Sequence, residues 1–142
     1  MQLKNVFKRT LILGSAIGTL GVFFAAPLAH AQDKTIKIAH IYSKTGPLEA
    51  YGKQTATGFM MGLDYATGGT MTVAGKKLVV LEKDDQGQPD LGKSLLAAAY
   101  GDDKADLAVG PTASPVALAM LPVAAECKQT LLVEPAVALS LI

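Results

Sequence analysis

The sequence is poor in the residues that most often mark a catalytic, metal or nucleic-acid site. Among 142 residues there is no Trp, and Arg9 and Cys127 are the only arginine and cysteine. A single cysteine excludes an intramolecular disulfide, and we expect Cys127 to be a half-buried small apolar residue. Since Lys and Arg do not cluster, we do not expect a nucleic-acid partner.

The first residues have the pattern of an export signal. Lys4, Lys8 and Arg9 precede an apolar stretch over residues 11–24, and an Ala-His-Ala motif ends at Ala31. A membrane anchor is the alternative, but the stretch is shorter than the roughly 20 residues that span a bilayer. We therefore predict a signal peptide over residues 1–31, cleavage after Ala31, and a periplasmic domain over residues 32–142.

Behind this signal, short β-type and helical patterns alternate. The predicted strands are Thr35–Tyr42, Thr70–Val73, Lys77–Glu82, Ala105–Val109 and Thr130–Val133, and the predicted helices are Tyr51–Thr67, Pro89–Gly101 and Ser114–Lys128. The second and third strands flank Ala74-Gly75-Lys76, which predicts a hairpin turn. The order strand–helix, repeated three times before a last strand, predicts an α/β fold with a doubly wound parallel sheet.

Some packing is predicted as well. Gly58 and Gly62 lie four residues apart on or beside the apolar face of the first helix, which suggests close packing on the sheet. The continuous apolar run 78–81 predicts a strand that is buried on both faces. In the second helix, the expected apolar stripe consists of Leu91, Leu95, Ala98 and Ala99.

Ligands of open parallel sheets bind at the carboxyl ends of the strands. The loop Gly110–Ser114 ends such a strand and begins a helix, so the hydroxyls of Thr112 and Ser114 and the first-turn N–H groups suit a carboxylate. The alternative is that Ser114 only caps its own helix. The loop after the first strand, together with the Tyr51 ring, can border a pocket, although an ordinary strand-to-helix turn explains it equally well.

An enzyme is poorly supported. GxSxG, GxGxxG and the phosphate-loop motif are absent. His40 lies inside the first strand, where a structural position is favoured over a catalytic base. Asp84 and Asp85 are too few for a metal site, and we expect one of them to hold a loop and the other to be solvated. Glu134 either meets an ammonium group or faces water. We predict no catalytic residue, no metal and no cofactor.

Taken in order, four segments carry a family resemblance: IKIAHIYSKTGPLEAYGKQTATGFMMGLDY, GKKLVVLEKDDQGQPD, AVGPTASPVALAMLPVAAE and LLVEPAVA. They resemble the substrate-binding proteins of branched-chain amino-acid ABC transporters, the periplasmic leucine/isoleucine/valine-binding type. The resemblance covers residues 35–138. It implies a periplasmic binding protein type I fold, of which this chain resembles the N-terminal lobe only.

The resemblance also implies functional residues. The expected ligand-binding residues are Tyr51, Thr112, Ala113, Ser114, Ala136, Val137 and Ala138. Two departures from the family pattern are Pro115, where glycine is common, and the apolar end Leu139–Ile142.

The function implied is capture of an amino acid for a membrane permease, by a monomer without enzymatic activity. Because the second lobe is missing, we expect this chain to be a truncated fragment that is impaired in binding. A sensor or receptor-type ligand-binding domain is the alternative, and a small exported enzyme is less favoured.

Overall fold

A computed structural model describes residues 35–137. Its strands are β1 (Thr35–Tyr42), β2 (Thr72–Val73), β3 (Lys76–Asp84), β4 (Leu107–Val109) and β5 (Thr130–Leu132). Its helices are α1 (Glu49–Ala66), α2 (Pro89–Gly101) and α3 (Ser114–Cys127). The predicted signal peptide, its cleavage site and Ala138 lie outside the described residues. None of these three helices is both long and apolar enough to cross a membrane.

The strands form one sheet in the order β2-β3-β1-β4-β5. β1 pairs in parallel with β3 and β4, and β4 pairs in parallel with β5. Only β2 is antiparallel, and it joins β3 through a hairpin in which Ala74 and Gly75 have φ of 49° and 77°. The sequence predictions of a parallel α/β sheet and of this hairpin are confirmed.

Alternate residues of β1 show that helices cover both faces of the sheet. Ala39 and Ile41 are fully buried in the main apolar core, together with residues of α2 and α3. The ring of His40, on the opposite face, lies 4.7 Å from that of Phe59 on α1. Because successive strand residues point to opposite faces, α1 covers one face and α2 with α3 cover the other, as a doubly wound sheet requires.

The core face of α2 agrees with the prediction at Ala99, which is fully buried, and differs from it elsewhere. Leu96, which the predicted stripe omits, is fully buried, whereas Leu91, Leu95 and Ala98 are only half-buried. The cause is the close approach of α3 at Gly92, where an added Cβ would lie 2.2 Å from Cγ1 of Val116. Packing between helices, which the helix period alone does not specify, sets this face.

The expected role of two glycines in α1 is wrong. Gly58 and Gly62 are exposed, and nothing lies within 4 Å of a Cβ built on either of them. The helix is buried instead through Gly52 and Ala56, which lie nearer its N-terminus. The sheet contacts α1 along the line that passes through these two residues and Phe59.

Burial of β3 on both faces is also wrong. Leu78 is the only buried member of the apolar run, and Val79, Val80 and Leu81 are half-buried. In the part of the chain that the structure describes, the strongest helix–sheet contacts involve β1, β4 and β5. The continuous apolar run in the sequence therefore does not indicate how many residues of this strand are buried.

Cys127 is exposed at the end of α3, contrary to the half-buried position expected from the sequence. The helix ends directly after it, where Lys128 takes a left-handed conformation with φ of 53°. Residues at a helix end project beyond the packed face, so the small apolar character of a cysteine does not force burial there.

Candidate functional site

The four parallel strands end at the same edge of the sheet, and their loops meet there. A cavity of about 300 Å³ lies between them, lined by Leu48, Tyr51, Thr112, Pro135 and Val137. These residues come from the segments that follow β1, β4 and β5. The loops predicted from the sequence therefore do come together, and we call this space the strand-end cavity.

Thr112 is the most enclosed polar residue of the strand-end cavity. It is buried, and its Oγ1 accepts a hydrogen bond of 3.1 Å from the backbone N–H of Ser43. With this lone pair occupied, the oxygen remains able to donate its own hydrogen. Thr112 therefore has a hydroxyl group that can donate a hydrogen bond while the Ser43 N–H fixes its oxygen.

Ser114 does not act as the N-cap of α3. It is the first helical residue, and Ala113, with φ −97° and ψ 132°, occupies the cap position without a side-chain bond. The Ser114 Oγ accepts a hydrogen bond of 3.2 Å from the N–H of Val137. The capping alternative is thus wrong, and the hydroxyl instead joins the start of α3 to the segment after β5.

The first turn of α3 offers fewer N–H groups than the sequence suggested. Pro115 has none, and the N–H groups of Val116 and Ala117 both bond to the Ala113 carbonyl at 3.1 Å. The Ala113 side chain belongs to the apolar core, so only its backbone can contact a ligand. The N–H groups of Val116 and Ala117 are therefore already bonded within the helix start.

The other predicted site residues differ in whether they line the strand-end cavity. Tyr51 lines the strand-end cavity with 64% of its surface exposed, and Val137 lines it with 87% exposed. Ala136 is half-buried beside it and does not line it. Ala138 lies outside the described residues. The structure thus brings Tyr51, Thr112 and Val137 together, with Ser114 bonded to Val137.

Sequence reasoning missed a buried pair behind the cavity. Ser43 and Asp85 are both 0% exposed, and Ser43 Oγ donates to Asp85 Oδ1 at 2.8 Å. Asp84 accepts hydrogen bonds from Thr45 and Gln86, so it also holds the loops. As expected, one aspartate, Asp85, is buried and holds a loop, whereas the hydrogen bonds of the other, Asp84, lie at the solvent-exposed surface. Their positions directly after parallel strands were the signal that could have found the pair.

Burial raises the pKa of the Asp85 carboxyl. Loss of hydration is the cause, and hydrogen bonds from Gly87 and Ser43 oppose this effect only in part. Its second oxygen, Oδ2, has no hydrogen-bond partner among residues 35–137. The carboxyl group therefore behaves chiefly as a fixed hydrogen-bond acceptor.

His40 is a structural residue of β1. It is 1% exposed and stacks on Tyr42 with the ring centroids 4.5 Å apart. Within the described part of the chain, neither ring nitrogen has a hydrogen-bond partner, and burial lowers the pKa of the imidazole although Glu82 opposes this. The described residues also contain no group of three or more metal-ligating side chains.

Comparison with known proteins agrees with this architecture. The periplasmic binding protein family model matches residues 35–140, three quarters of the chain. The chain belongs to the periplasmic binding protein family. Proteins of this family bind substrates and are extracytoplasmic, so the expected fold and class are confirmed.

Three known proteins are similar to this chain. The Leu/Ile/Val-binding protein BraC3 of Rhizobium johnstonii is 39% identical over 103 residues, which are 71% of this chain and 26% of that protein. An ABC-type branched-chain amino acid transporter from Rhodopseudomonas palustris, known from a crystal structure, is 64% identical in sequence. Its TM-score is 0.74, and the match covers 75% of this chain and 29% of the transporter chain.

A third relative carries a different ligand. The solute binding protein of an ABC transporter from Rhodopseudomonas palustris BisB5, solved in complex with 3,4-dihydroxybenzoic acid, is 34% identical with a TM-score of 0.67, covering 72% of this chain and 28% of that chain. The chain thus spans between a quarter and a third of the length of these three relatives.

Proposed function

We propose that this protein is an extracytoplasmic solute-binding component of an ABC transporter, and that it binds amino acids of the branched-chain type. The observation that carries the proposal is Thr112, a buried hydroxyl-bearing residue that lines a cavity formed by three strand-end loops. A membrane permease is the proposed partner, and the protein acts without catalysis, as a monomer.

The chemistry of the strand-end cavity fits such a solute. The hydroxyls of Thr112 and Ser114 can donate to a carboxylate, which forms stronger hydrogen bonds than a neutral acceptor. Leu48, Tyr51 and Val137 supply apolar surface for an aliphatic side chain. At about 300 Å³ the cavity reaches the lower end of the range of about 300–1,000 Å³ for small-molecule sites.

The described residues form one wall of the site. Tyr51 and Val137 remain 64% and 87% exposed, whereas small-molecule sites bury roughly 70–90% of a ligand's surface. We therefore expect the wall formed by the described residues to hold leucine weakly by itself, because a second wall is needed to exclude water from the carboxylate and to surround the side chain.

An aromatic carboxylic acid is the second candidate solute. One relative is solved with 3,4-dihydroxybenzoic acid, and the exposed Tyr51 ring offers a surface on which another ring can stack. This acid and the branched-chain amino acids share a carboxyl group, so the Thr112 hydroxyl serves either of them. They differ in the ammonium group and in the shape of the side chain.

Titration of the purified protein, followed by backbone NMR resonances, tests the proposal. L-leucine is expected to shift the signals of Tyr51, Thr112 and Val137 at millimolar concentration, and leucinamide, which lacks the carboxylate, is expected to leave them in place. Larger shifts with 3,4-dihydroxybenzoate than with leucine would favour the aromatic solute. If all three compounds leave these signals unchanged, the proposed site is wrong.

A further inference from the structure

Asp85 is a buried acceptor that ties two loops together. Its side chain is 0% exposed. Oδ1 accepts hydrogen bonds of 2.8 Å from Ser43 Oγ and from the Gly87 N–H. The Asp85 N–H donates to the Tyr42 carbonyl at 3.0 Å. These hydrogen bonds thereby fix the end of β3 to the end of β1.

The same connection continues to the strand-end cavity. Ser43 is also 0% exposed, and its N–H donates to Thr112 Oγ1 at 3.1 Å. One continuous hydrogen-bonded path therefore runs from Asp85 through Ser43 to Thr112 and connects the ends of β3, β1 and β4. Of these three residues, only Thr112 lines the cavity.

We infer that Asp85 is a positioning residue for solute binding, which acts through Ser43 to fix the direction in which the Thr112 hydroxyl donates. The inference rests on the proposed function of the strand-end cavity. The path is buried, so water cannot replace a lost acceptor. Loss of the Asp85 acceptor therefore changes the position of Ser43. When Ser43 shifts, its backbone N–H no longer fixes the Thr112 oxygen, and the threonine can change rotamer.

Asp84 provides a contrast within the same loop. Its carboxylate accepts hydrogen bonds from the N–H and Oγ1 of Thr45 at 3.2 and 2.6 Å, and from the Gln86 N–H at 3.0 Å. These bonds shape the loops but none of them leads to Thr112. Removal of the Asp84 carboxylate thus disturbs the same loops without breaking the path to the cavity.

The hydrogen bonds, rather than a negative charge, are the expected contribution of Asp85. Burial raises the pKa of this carboxyl, so ionisation of the group is less favourable here than in water. The amide oxygen of an asparagine can accept the same bonds from Ser43 and Gly87. Asp85→Asn should therefore preserve the path, whereas Asp85→Ala should break it.

The test compares Asp85→Ala, Asp85→Asn, Ser43→Ala and Asp84→Ala with the unchanged protein. The Thr112 χ1 rotamer, obtained from three-bond NMR couplings, and the Ser43 amide proton shift report the path without any ligand. L-leucine titration then reports the cavity. In Asp85→Ala we expect rotamer averaging at Thr112 and leucine binding weakened about fivefold, equivalent to about 1 kcal/mol.

Ser43→Ala should reproduce these effects, and the double variant with Asp85→Ala should add little to them, because both remove the same link. Asp85→Asn and Asp84→Ala should keep a single Thr112 rotamer. An unchanged rotamer and Ser43 amide shift in Asp85→Ala would overturn the inference. If the rotamer changes but leucine never shifts Thr112, the path stands as geometry, and both the proposed function and the solute-binding role of Asp85 fail.

Discussion

Gly52 packs against the carbonyl oxygen of Ser43 so closely that a Cβ on Gly52 would lie 2.1 Å from that oxygen. The same Cβ would lie 3.3 Å from Oγ1 of Thr112. This contact brings α1 close to the end of β1. It also places Tyr51, the preceding residue, at the strand-end cavity. The absence of a side chain at one position thus sets one border of the proposed site.

Gly52→Ala should destabilise the protein. Backbone atoms cannot yield to a methyl group at 2.1 Å, so α1 has to move away from β1, and we expect a loss of about 1–3 kcal/mol, typical of overpacking. Urea denaturation followed by circular dichroism measures this change in the free energy of unfolding.

Gly58→Ala is the matched control in the same helix. Nothing lies within 4 Å of its added Cβ, so the better helix propensity of alanine should stabilise the protein by about 0.5–1 kcal/mol. Equal effects of the two substitutions would contradict the assignment of Gly52 as the contact point.

His40 should make the protein less stable in acid. Burial lowers its pKa below the ordinary 6.5, so the unfolded chain binds a proton before the folded chain does. The free energy of unfolding should therefore be unaffected by His40 well above pH about 6.5 and should fall as the pH drops through that value toward the folded pKa.

His40→Gln, which cannot titrate, isolates this effect. The difference in unfolding free energy between the unchanged protein and the variant should vary with pH only below about 7. Asp85, whose pKa is raised, acts in the opposite direction in both proteins and cancels in the difference. A difference that stays constant on acidification would show that the folded state accepts the proton without cost.

Ser114→Ala should loosen the segment after β5. The Ser114 Oγ accepts the Val137 N–H at 3.2 Å, and an exposed hydrogen bond of this kind contributes at most about 1 kcal/mol. Amide exchange at Val137 should become faster, whereas exchange within β4 should not change. Unaltered exchange at Val137 would mean that the bond is not kept in solution.

Cys127 should react with a thiol reagent in the folded protein. It is exposed at the end of α3, so we expect complete modification without denaturant, and Cys127→Ser should change the free energy of unfolding by less than about 0.5 kcal/mol. A thiol that reacts only after unfolding would restore the half-buried position expected from the sequence.

Much of the fold could be predicted from local patterns. The strand periods, the Ala74-Gly75 turn and the Pro residues at helix starts gave the element order and a parallel sheet with one antiparallel hairpin, because each is a short-range signal. The rule that ligands bind at the carboxyl ends of strands predicted the loops that carry Tyr51 and Thr112, and the family resemblance added Val137.

The errors concern contacts between distant residues. The sequence does not distinguish the role of Gly58 from that of Gly52. Only the close approach of the Ser43 carbonyl oxygen shows that a glycine is required at position 52. The burial of Leu96 and the half-buried run of β3 depend on which helix lies over which strand. Periodicity gives the direction of a side chain relative to its own element and not the neighbour that covers it.

The sequence by itself determined the element order, the parallel strands and the edge of the sheet where the loops gather, since these follow from local propensity and from chain connectivity. Only the tertiary structure decided that Ser114 bonds to Val137 rather than capping α3, and that Asp85 reaches Thr112 through Ser43. Hydrogen bonds between residues about 20 to 70 positions apart depend on the distance between strand ends, and no local pattern records that distance.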